Sequence, residues 1–268
     1  MGTIMTTPEP IVIVDGARTP VGSFGGVFKD VPAHELGAAA AKAALSRAGV
    51  APEDIDEVVM GCIGQVGPDA YNARRVGIAA GLPENVPAYT VNRLCGSGLQ
   101  AVWSAAMQMR WGAAAITLAG GDESMSRMPF YDFAARSGYK LGDRSLVDGT
   151  VAMLTDPFSK AHMGRTAEAV ARKYGVSREQ QDEFAVESQR RAATDAAKAA
   201  FAEEITPSRP VAGARSPSPR TNTPSPEPPS KPSPSCAPHS KRADPSPPVT
   251  RRASTTAPAH SSSRRAPR

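Results

Sequence analysis

The composition of the chain changes abruptly after Pro207, and this change limits which part of the chain can fold. Residues 208–268 contain 15 Pro and 13 Ser among 61 residues, and they include no Leu, Ile, Met, Phe, Tyr or Trp. Such a segment cannot bury enough apolar surface to offset the conformational entropy that ordering would cost. We therefore predict a disordered, Pro/Ser/Arg-rich tail over residues 208–268 and a fold within residues 1–207.

The charge divides between the same two parts. Residues 1–207 carry 20 Lys and Arg against 24 Asp and Glu, whereas residues 208–268 carry 11 against 2. The net charges of −4 and +9 add up to the +5 of the whole chain. The basic character therefore belongs to the tail, and it gives no reason to expect that the folded part binds nucleic acid.

The cysteines and the hydropathy of the chain bear on its location. Cys62, Cys95 and Cys236 lie too far apart to form a disulfide framework or a zinc pattern. A membrane-spanning helix needs about 18 consecutive apolar residues, and the sequence contains no such run. We predict a cytoplasmic protein with no membrane partner.

Short apolar runs alternate with helical patterns over residues 1–121. This alternation predicts right-handed crossovers and a mainly parallel sheet with helices on its faces, an α/β fold with four strands in one sheet. The predicted strands cover residues 11–15, 56–63, 86–91 and 113–121, and the predicted helices cover residues 32–50, 72–81 and 96–112.

The pattern changes after Gly121. Residues 122–160 are rich in Gly, Met and aromatic residues without a clear period, and two helical patterns follow. One covers residues 164–174, and the other begins at Ser177, which has the capping-box spacing to Gln180, and continues to about Phe201. We predict a loop and helical insertion over residues 122–207, next to an α/β domain over residues 1–121.

The sequence TVNRLCGSGLQA, residues 90–101, contains the strongest candidate for chemistry. Gly96, Gly98 and Ala101 fit the dinucleotide-binding pattern G-x-G-x-x-A, with acidic residues at 122 and 123. However, this turn follows the third predicted strand, and pyrophosphate binding gives no role to a cysteine. The nucleotide interpretation is therefore the weaker one.

Cys95 itself admits two interpretations. Free cysteines are usually small buried hydrophobes, and Cys62 within an apolar strand fits that description. Cys95 instead lies where a helix begins, and unpaired N–H groups and the helix dipole there favour a thiolate and could stabilise an oxyanion. Glycines at 96 and 98 leave room for an acyl group. The residues favour a nucleophile over a structural cysteine.

The segment VNRLCGSGLQA closely resembles the active-site segment of the thiolases, the acetyl-CoA C-acyltransferases. Further segments resemble the same family in the same order, and together they cover residues 10–206 almost without a gap. They are DGARTPVGSFGG (15–26), PAHELG (32–37), GCIGQVG (61–67), NARRVGIAAGLP (72–83), AGGDESMS (119–126) and HMGRTAEAVARKYGVSREQQDEFAVESQRRA (162–192).

The resemblance implies an activity and a set of site residues. Cys95 would take an acyl group from an acyl-CoA, and a carbanion from acetyl-CoA would then attack the thioester to give a 3-ketoacyl-CoA. His162 and Met163 match positions that line the pantetheine and acyl pocket, although without the resemblance a structural histidine after a loop would be the preferred interpretation of His162. The family implies a homo-oligomer, coenzyme A thioesters as substrates, and no metal or redox cofactor.

The resemblance stops at residues 201–207. The family's later segments, an asparagine in N-E-A-F, a histidine in G-H-P and a second cysteine in a late C-x-G, do not occur after residue 207. None of the four histidines is flanked as G-H-P, and Cys236 lies in the proline-rich tail. We therefore expect this chain to have only the first half of a thiolase and to be inactive in turnover.

Two explanations of the tail remain open. It could be a true appendage, in which case the protein could act without catalysis, through a basic, proline-rich segment that binds acidic partners or SH3-like domains. Alternatively it could result from a frameshift, because GC-rich codons read out of phase give mainly Pro, Arg, Ala, Ser and Thr. The abrupt change in the middle of a fold favours the frameshift.

Overall fold

The computed structural model describes residues 9–208, and a parallel three-stranded sheet lies at its centre. The strands are β1 (Glu57–Gly61), β2 (Ala88–Val91) and β3 (Thr117–Gly121), in the order β2-β1-β3. Val59 of β1 lies between Tyr89 and Ala119 on its two neighbours. The central strand is the most apolar one, as expected of a strand that is covered on both faces.

Three helices cover the two faces of this sheet, and they are α1 (Ala33–Ala48), α2 (Asn72–Ala80) and α3 (Ser97–Arg110). Val58 and Met60 pack with residues of α1 and α2, whereas Val59 packs with α3. Because successive residues of a strand point to opposite faces, α1 and α2 cover one face and α3 covers the other. The predicted α/β class, a mainly parallel sheet flanked by helices, is confirmed.

The predicted strand at residues 11–15 is wrong. Among residues 9–208 this segment has no ladder partner, and Val12, Ile13 and Val14 are exposed. Only Arg18, beyond it, forms a single bridge, to Ile205. An apolar β-branched run favours an extended backbone, but a strand also needs a neighbour to which it donates and from which it accepts hydrogen bonds. The main sheet of the described chain therefore has three strands and not four.

Residues 122–208 consist of loops, one short pair of strands and four helices. A short antiparallel pair, β4 (Phe130–Tyr131) and β5 (Val147–Asp148), leads into α4 (Gly149–Met153). Three longer helices follow, α5 (Met163–Tyr174), α6 (Arg178–Ala192) and α7 (Asp195–Glu204). Short 3₁₀ turns elsewhere span Pro52–Asp54, Gly67–Tyr71, Met125–Arg127 and Ala135–Ser137.

The helix boundaries in this region follow local signals. The capping box of Ser177 and Gln180 is present at the start of α6, and α5 ends at Gly175 in a left-handed conformation. The prediction of one helix from Ser177 to about Phe201 is wrong, because Thr194 accepts the N–H of Ala197 and starts a new helix, α7.

Some expectations lie outside the described residues. The tail of residues 208–268 is outside them from residue 209 onward, and so are Cys236 and the choice between appendage and frameshift. The division at residue 121 into two structural parts stays a prediction. Between residues 9 and 208, no helix is both long enough and apolar enough to cross a membrane.

Candidate active site

Cys95 lies on a tight turn between the end of β2 at Val91 and the start of α3 at Ser97. Leu94 has a φ of 49°, a left-handed value that is uncommon for a leucine. The Ser97 side chain holds this turn, since its Oγ accepts the N–H of Arg93 at 2.8 Å and its hydroxyl donates to the Leu94 carbonyl at 2.6 Å. Cys95 at the apex is exposed.

The N–H groups near the apex are divided between the turn and the helix start. Gly96 donates to the Arg93 carbonyl at 3.1 Å, and Ser97 donates to the Leu94 carbonyl at 2.9 Å. Within residues 9–208, the N–H groups of Gly98 and Leu99 have no backbone acceptor. A helix N-terminus with unpaired N–H groups favours a negative charge nearby.

Close backbone contacts fix the start of α3 against the sheet. A Cβ on Gly61, the last residue of β1, would overlap the backbone of Ser97. A Cβ on Gly121, the last residue of β3, would come within 3.1 Å of the Gly98 Cα. The helix therefore begins in direct contact with the carboxyl ends of two strands, the edge at which open α/β sheets place their sites.

Glu123 connects the loops that follow β1 and β3. Its carboxylate accepts the N–H of Ile63 at 2.9 Å and that of Gly64 at 3.1 Å. Its Oε1 also lies 3.9 Å from the Sγ of Cys62. Burial, and the nearby Glu123 carboxylate after it, raise the pKa of the Cys62 thiol far above its usual value. Cys62 is therefore the structural cysteine that the sequence predicts.

Asp122, which the sequence marks only as an acidic residue after the G-x-G-x-x-A pattern, is a buried carboxyl. Its Oδ1 accepts the Asn72 amide at 2.7 Å, and its Oδ2 is buried without a hydrogen-bond partner among the described residues. A Cβ on Gly37 of α1 would overlap that oxygen. Burial raises the pKa of Asp122 to about 7. The acidic pair after a strand was visible in the sequence, but its burial depends on α1 and α2.

A cavity of about 430 Å³ lies beside this acidic pair. It is lined by the segment 17–24, by α1 residues such as Leu36 and Ala40, and by residues 121–126. Cys95, His162 and Met163 are not among its lining residues. The cavity and the cysteine turn are therefore separate features of the molecule.

His162 and Met163 lie at the start of α5. The Nδ1 atom of His162 accepts the N–H of Gly164 at 3.0 Å, so this histidine caps the helix. Both side chains are exposed, and neither is hydrogen-bonded to Cys95. The capping role agrees with the structural interpretation of His162, and its Nε2 atom remains free of that contact. Residues 9–208 bring together no three His, Cys, Asp or Glu side chains that could hold a metal ion.

Most of the described chain is similar to known proteins. The family model for the thiolase N-terminal domain matches residues 11–215. Acetyl-CoA acetyltransferase of Cupriavidus necator is 50% identical over 198 residues, and beta-ketothiolase BktB of the same organism is 48% identical over 198 residues. Each alignment covers 74% of this chain and 50% of the relative.

A solved structure is similar over the same range. The crystal structure of Bacillus anthracis acetyl-CoA acetyltransferase superposes with a TM-score of 0.71 and 38% sequence identity. That superposition covers 73% of this chain and 50% of the other. The chain thus spans about half the length of the relatives that it matches, and over that half it belongs to the thiolase family.

Proposed function

We propose that this chain carries the nucleophile of an acyl-CoA C-acyltransferase, and that the nucleophile is Cys95. The observation that carries the proposal is the position of this cysteine: it is exposed at the apex of the turn that opens α3, in a chain of the thiolase family. The turn keeps the sulfur accessible, and the N–H groups of Gly98 and Leu99, which have no backbone acceptor, could stabilise an oxyanion beside it.

The chemistry balances without a cofactor. The Cys95 thiolate attacks the carbonyl carbon of an acyl-CoA, the bond from that carbon to the coenzyme A sulfur breaks, and coenzyme A leaves as a thiolate that takes up a proton. A base would then remove the α-proton of an acetyl-CoA, the resulting carbanion would attack the carbonyl carbon of the acyl-enzyme, and Cys95 would leave as a thiolate; the family's second cysteine, which would be that base, does not occur after residue 207. A sulfur suits both steps, because it is a good nucleophile and a good leaving group. The reverse direction is thiolysis of a 3-ketoacyl-CoA.

The substrates of the proposal are coenzyme A thioesters, with acetyl-CoA as the first choice because the similar proteins include acetyl-CoA acetyltransferases. His162 and Met163 would line the pantetheine and acyl pocket, with the Nε2 edge of His162 available because Nδ1 caps α5. We further propose a cytoplasmic enzyme that forms homo-oligomers and uses no metal or redox cofactor.

Selective modification tests the nucleophile. The 268-residue protein is treated with limiting iodoacetamide, or with acetyl-CoA, and the labelled peptide is identified by mass spectrometry. We expect the label on Cys95, little on Cys236, and none on buried Cys62. Cys95→Ala should lose the label, and the conservative Cys95→Ser should lose alkylation. Acetylation elsewhere, with Cys95 unmodified, would exclude the proposed role.

We expect Cys95 to be labelled, but we do not expect the chain to catalyse turnover. The 268 residues contain no G-H-P histidine to act as a base for Cys95, and after residue 207 they contain no C-x-G cysteine to remove the α-proton of acetyl-CoA. General acid and base catalysis contributes about 10²–10⁴-fold to a rate. We expect no measurable thiolysis of acetoacetyl-CoA by the 268-residue chain. Steady turnover that disappears in Cys95→Ala would contradict that expectation while supporting the nucleophile.

A further inference from the structure

The position of the Cys95 sulfur depends on the backbone of its turn. Among residues 9–208, no side chain forms a hydrogen bond with the Cys95 Sγ, and the cysteine is exposed. The N–H groups of Gly98 and Leu99, which have no backbone acceptor, lie at the start of the helix that follows. The distance from the sulfur to these N–H groups is therefore set by the way in which the turn joins the helix.

The Ser97 side chain connects the turn to the helix. Its Oγ accepts the Arg93 N–H at 2.8 Å, and its hydroxyl donates to the Leu94 carbonyl at 2.6 Å. Ser97 is itself the first residue of α3, so these two bonds tie the helix start to the two residues that precede Cys95. Such local side-chain bonds replace the backbone bonds that a turn lacks. Cys95 is thereby enclosed in a short ring of hydrogen bonds.

Ser97 acts on the turn from a fixed position. The residue is only 4% exposed, and its backbone contacts Gly61 so closely that a Cβ on that glycine would overlap it. Water therefore cannot replace the hydroxyl unless the helix start rearranges. The Leu94 backbone, with a φ of 49°, is in an unfavourable conformation that persists only where surrounding contacts hold it. Without the hydroxyl, we expect the turn to relax and Cys95 to move with it.

We propose that Ser97 is a positioning residue for acyl transfer at Cys95. Its two hydrogen bonds keep the sulfur beside the N–H groups of Gly98 and Leu99. The oxyanion that forms when the sulfur attacks a carbonyl then lies within reach of these donors. Ser97 touches no reacting atom and acts only through the turn. The inference rests on the proposed role of Cys95 as the nucleophile, and it adds a residue that sets the efficiency of that nucleophile.

Two reactions of the same sulfur separate positioning from accessibility. In acylation by p-nitrophenyl acetate, the sulfur attacks the carbonyl carbon, the bond to the phenol oxygen breaks, and p-nitrophenolate leaves. This reaction passes through an oxyanion, which hydrogen-bond donors stabilise. In alkylation by iodoacetamide, the sulfur displaces iodide from a methylene carbon, and no oxyanion forms. The thiol proton goes to water in both reactions, and neither reagent needs a site for coenzyme A.

The experiment compares the two rates at Cys95 in the 268-residue chain, with the modified peptide identified by mass spectrometry. In Ser97→Ala we expect acylation to be slower by about 10–100-fold, since a small misplacement of reacting groups costs up to about 10²-fold. Alkylation should change far less. Ser97→Thr retains the hydroxyl and should recover most of the acylation rate. Ser104→Ala, about two turns further along α3, is the matched control and should leave both rates unchanged.

The contrary outcomes can be told apart. If wild-type Cys95 is alkylated but not acylated, the nucleophile role fails, and the role of Ser97 fails with it. If Ser97→Ala slows both reactions equally, or slows neither, the positioning role is overturned and the nucleophile role stands. Ser97→Thr that is as slow as Ser97→Ala, in a protein that circular dichroism shows to be folded, would exclude the hydroxyl as the positioning group.

Hydrogen exchange of the wild type gives a second measurement that needs no substitution. The Arg93 N–H donates to the Ser97 Oγ, whereas the Leu99 N–H has no backbone acceptor among the described residues. We expect the Arg93 amide to exchange more slowly than the Leu99 amide, and NMR resolves the two. If both exchange equally fast, the bond from Arg93 to Ser97 does not persist in solution and the proposal is overturned.

Discussion

Residues 33–121 and residues 163–204 are both rich in helix, but they are stabilised in different ways. Helix α1 buries five of its residues and packs with α2 on the sheet. Helices α5, α6 and α7 bury none. Two contributions to helix stability that usually occur together are therefore separated in this molecule. Packing stabilises the helices of residues 33–121, and local interactions stabilise those of residues 163–204.

Residues 163–204 contain several local interactions that stabilise helices. Ser177 and Gln180 form a capping box, Thr194 caps α7, and Glu187 forms ion pairs with Arg190 and Arg191. Exposed ion pairs contribute little to stability, and caps contribute about 1 kcal/mol each. We therefore expect α5–α7 to open far more readily than the sheet and the helices packed on it.

The largest expected difference between the regions comes from a buried charge. Val59 at the centre of β1 is completely buried, and Val59→Asp would place a carboxylate there without a partner. We expect a loss of more than about 4 kcal/mol in the free energy of unfolding, enough to unfold the protein. Circular dichroism and urea denaturation measure this. Phe184→Asp introduces the same charge on the exposed helix α6 and should change the free energy of unfolding little. Equal losses in both variants would show that the two regions do not differ in how they are stabilised.

A smaller effect should appear as a pH dependence in the packed region. The pKa of Asp122 is raised by burial to about 7, above its value in an unfolded chain. Its contribution to stability is therefore fully present below about pH 4 and is lost as the pH rises to about 7. Between pH 5 and pH 7 the wild type should lose on the order of 2 kcal/mol more than Asp122→Asn, which does not titrate.

Urea denaturation at several pH values measures this difference. His34 works in the opposite direction, because burial and then Arg75 lower its pKa, so its contribution is lost as the pH falls below about 6.5. Both proteins contain His34, so the comparison with Asp122→Asn isolates the carboxyl. Parallel pH profiles for the two proteins would show that Asp122 is not the titrating group.

The contact between Gly61 and the start of α3 predicts a third effect. Gly61→Ala introduces a Cβ that overlaps the Ser97 backbone, so the helix start has to move away from β1. We expect a loss of about 1–3 kcal/mol in the free energy of unfolding. Gly98→Ala is the matched control, since its Cβ would meet nothing within 4 Å. If the two alanines behave alike, the close contact does not fix the helix.

The smallest effect should be confined to the exposed helices. Ser177→Ala removes the side chain that accepts the Gln180 N–H, and we expect α6 to lose about 1 kcal/mol of local stability. Hydrogen exchange of the α6 amides should become faster, while exchange in β1 stays the same. Ser177→Asp retains a capping oxygen and should exchange like the wild type. Faster exchange in β1 as well would mean that the two regions open together.

The same distinction explains what the sequence could predict. Strand β1 and helix α1 were predictable, because β-branched residues at 58–59 and the alanine-rich segment closed by Gly49 are local signals. The segment 11–15 has an equally strong local signal, yet it forms no strand, since pairing depends on a distant neighbour. The break at Thr194 was also marked locally, by a capping residue followed by Asp195, within a longer helical pattern that hid it.

The candidate site divides in a similar way. The position of Cys95 at a helix start follows from the glycines that come after it, so this position could be predicted from residues 90–101 alone. The roles of Asp122 and Glu123 could not be predicted, because they depend on contacts with Asn72 and with the loop at 63–64. The roles proposed for His162 and Met163 remain predictions.

The bridge between Arg18 and Ile205 has a consequence for the order of folding. Arg18 donates to the Glu204 carbonyl and accepts from Thr206, across a separation of 186 residues for the Arg18 and Glu204 pair. During synthesis, residues 33–121 can complete their sheet before residue 204 exists, and the side chains of Arg47 and Arg110 can already donate to the carbonyls of Gly16 and Glu9. The backbone bridge at Arg18 has to wait for residues 204–206, and closing so long a loop is slow. Arg18 is thus among the first described residues to be made, and its bridge is among the last contacts to form.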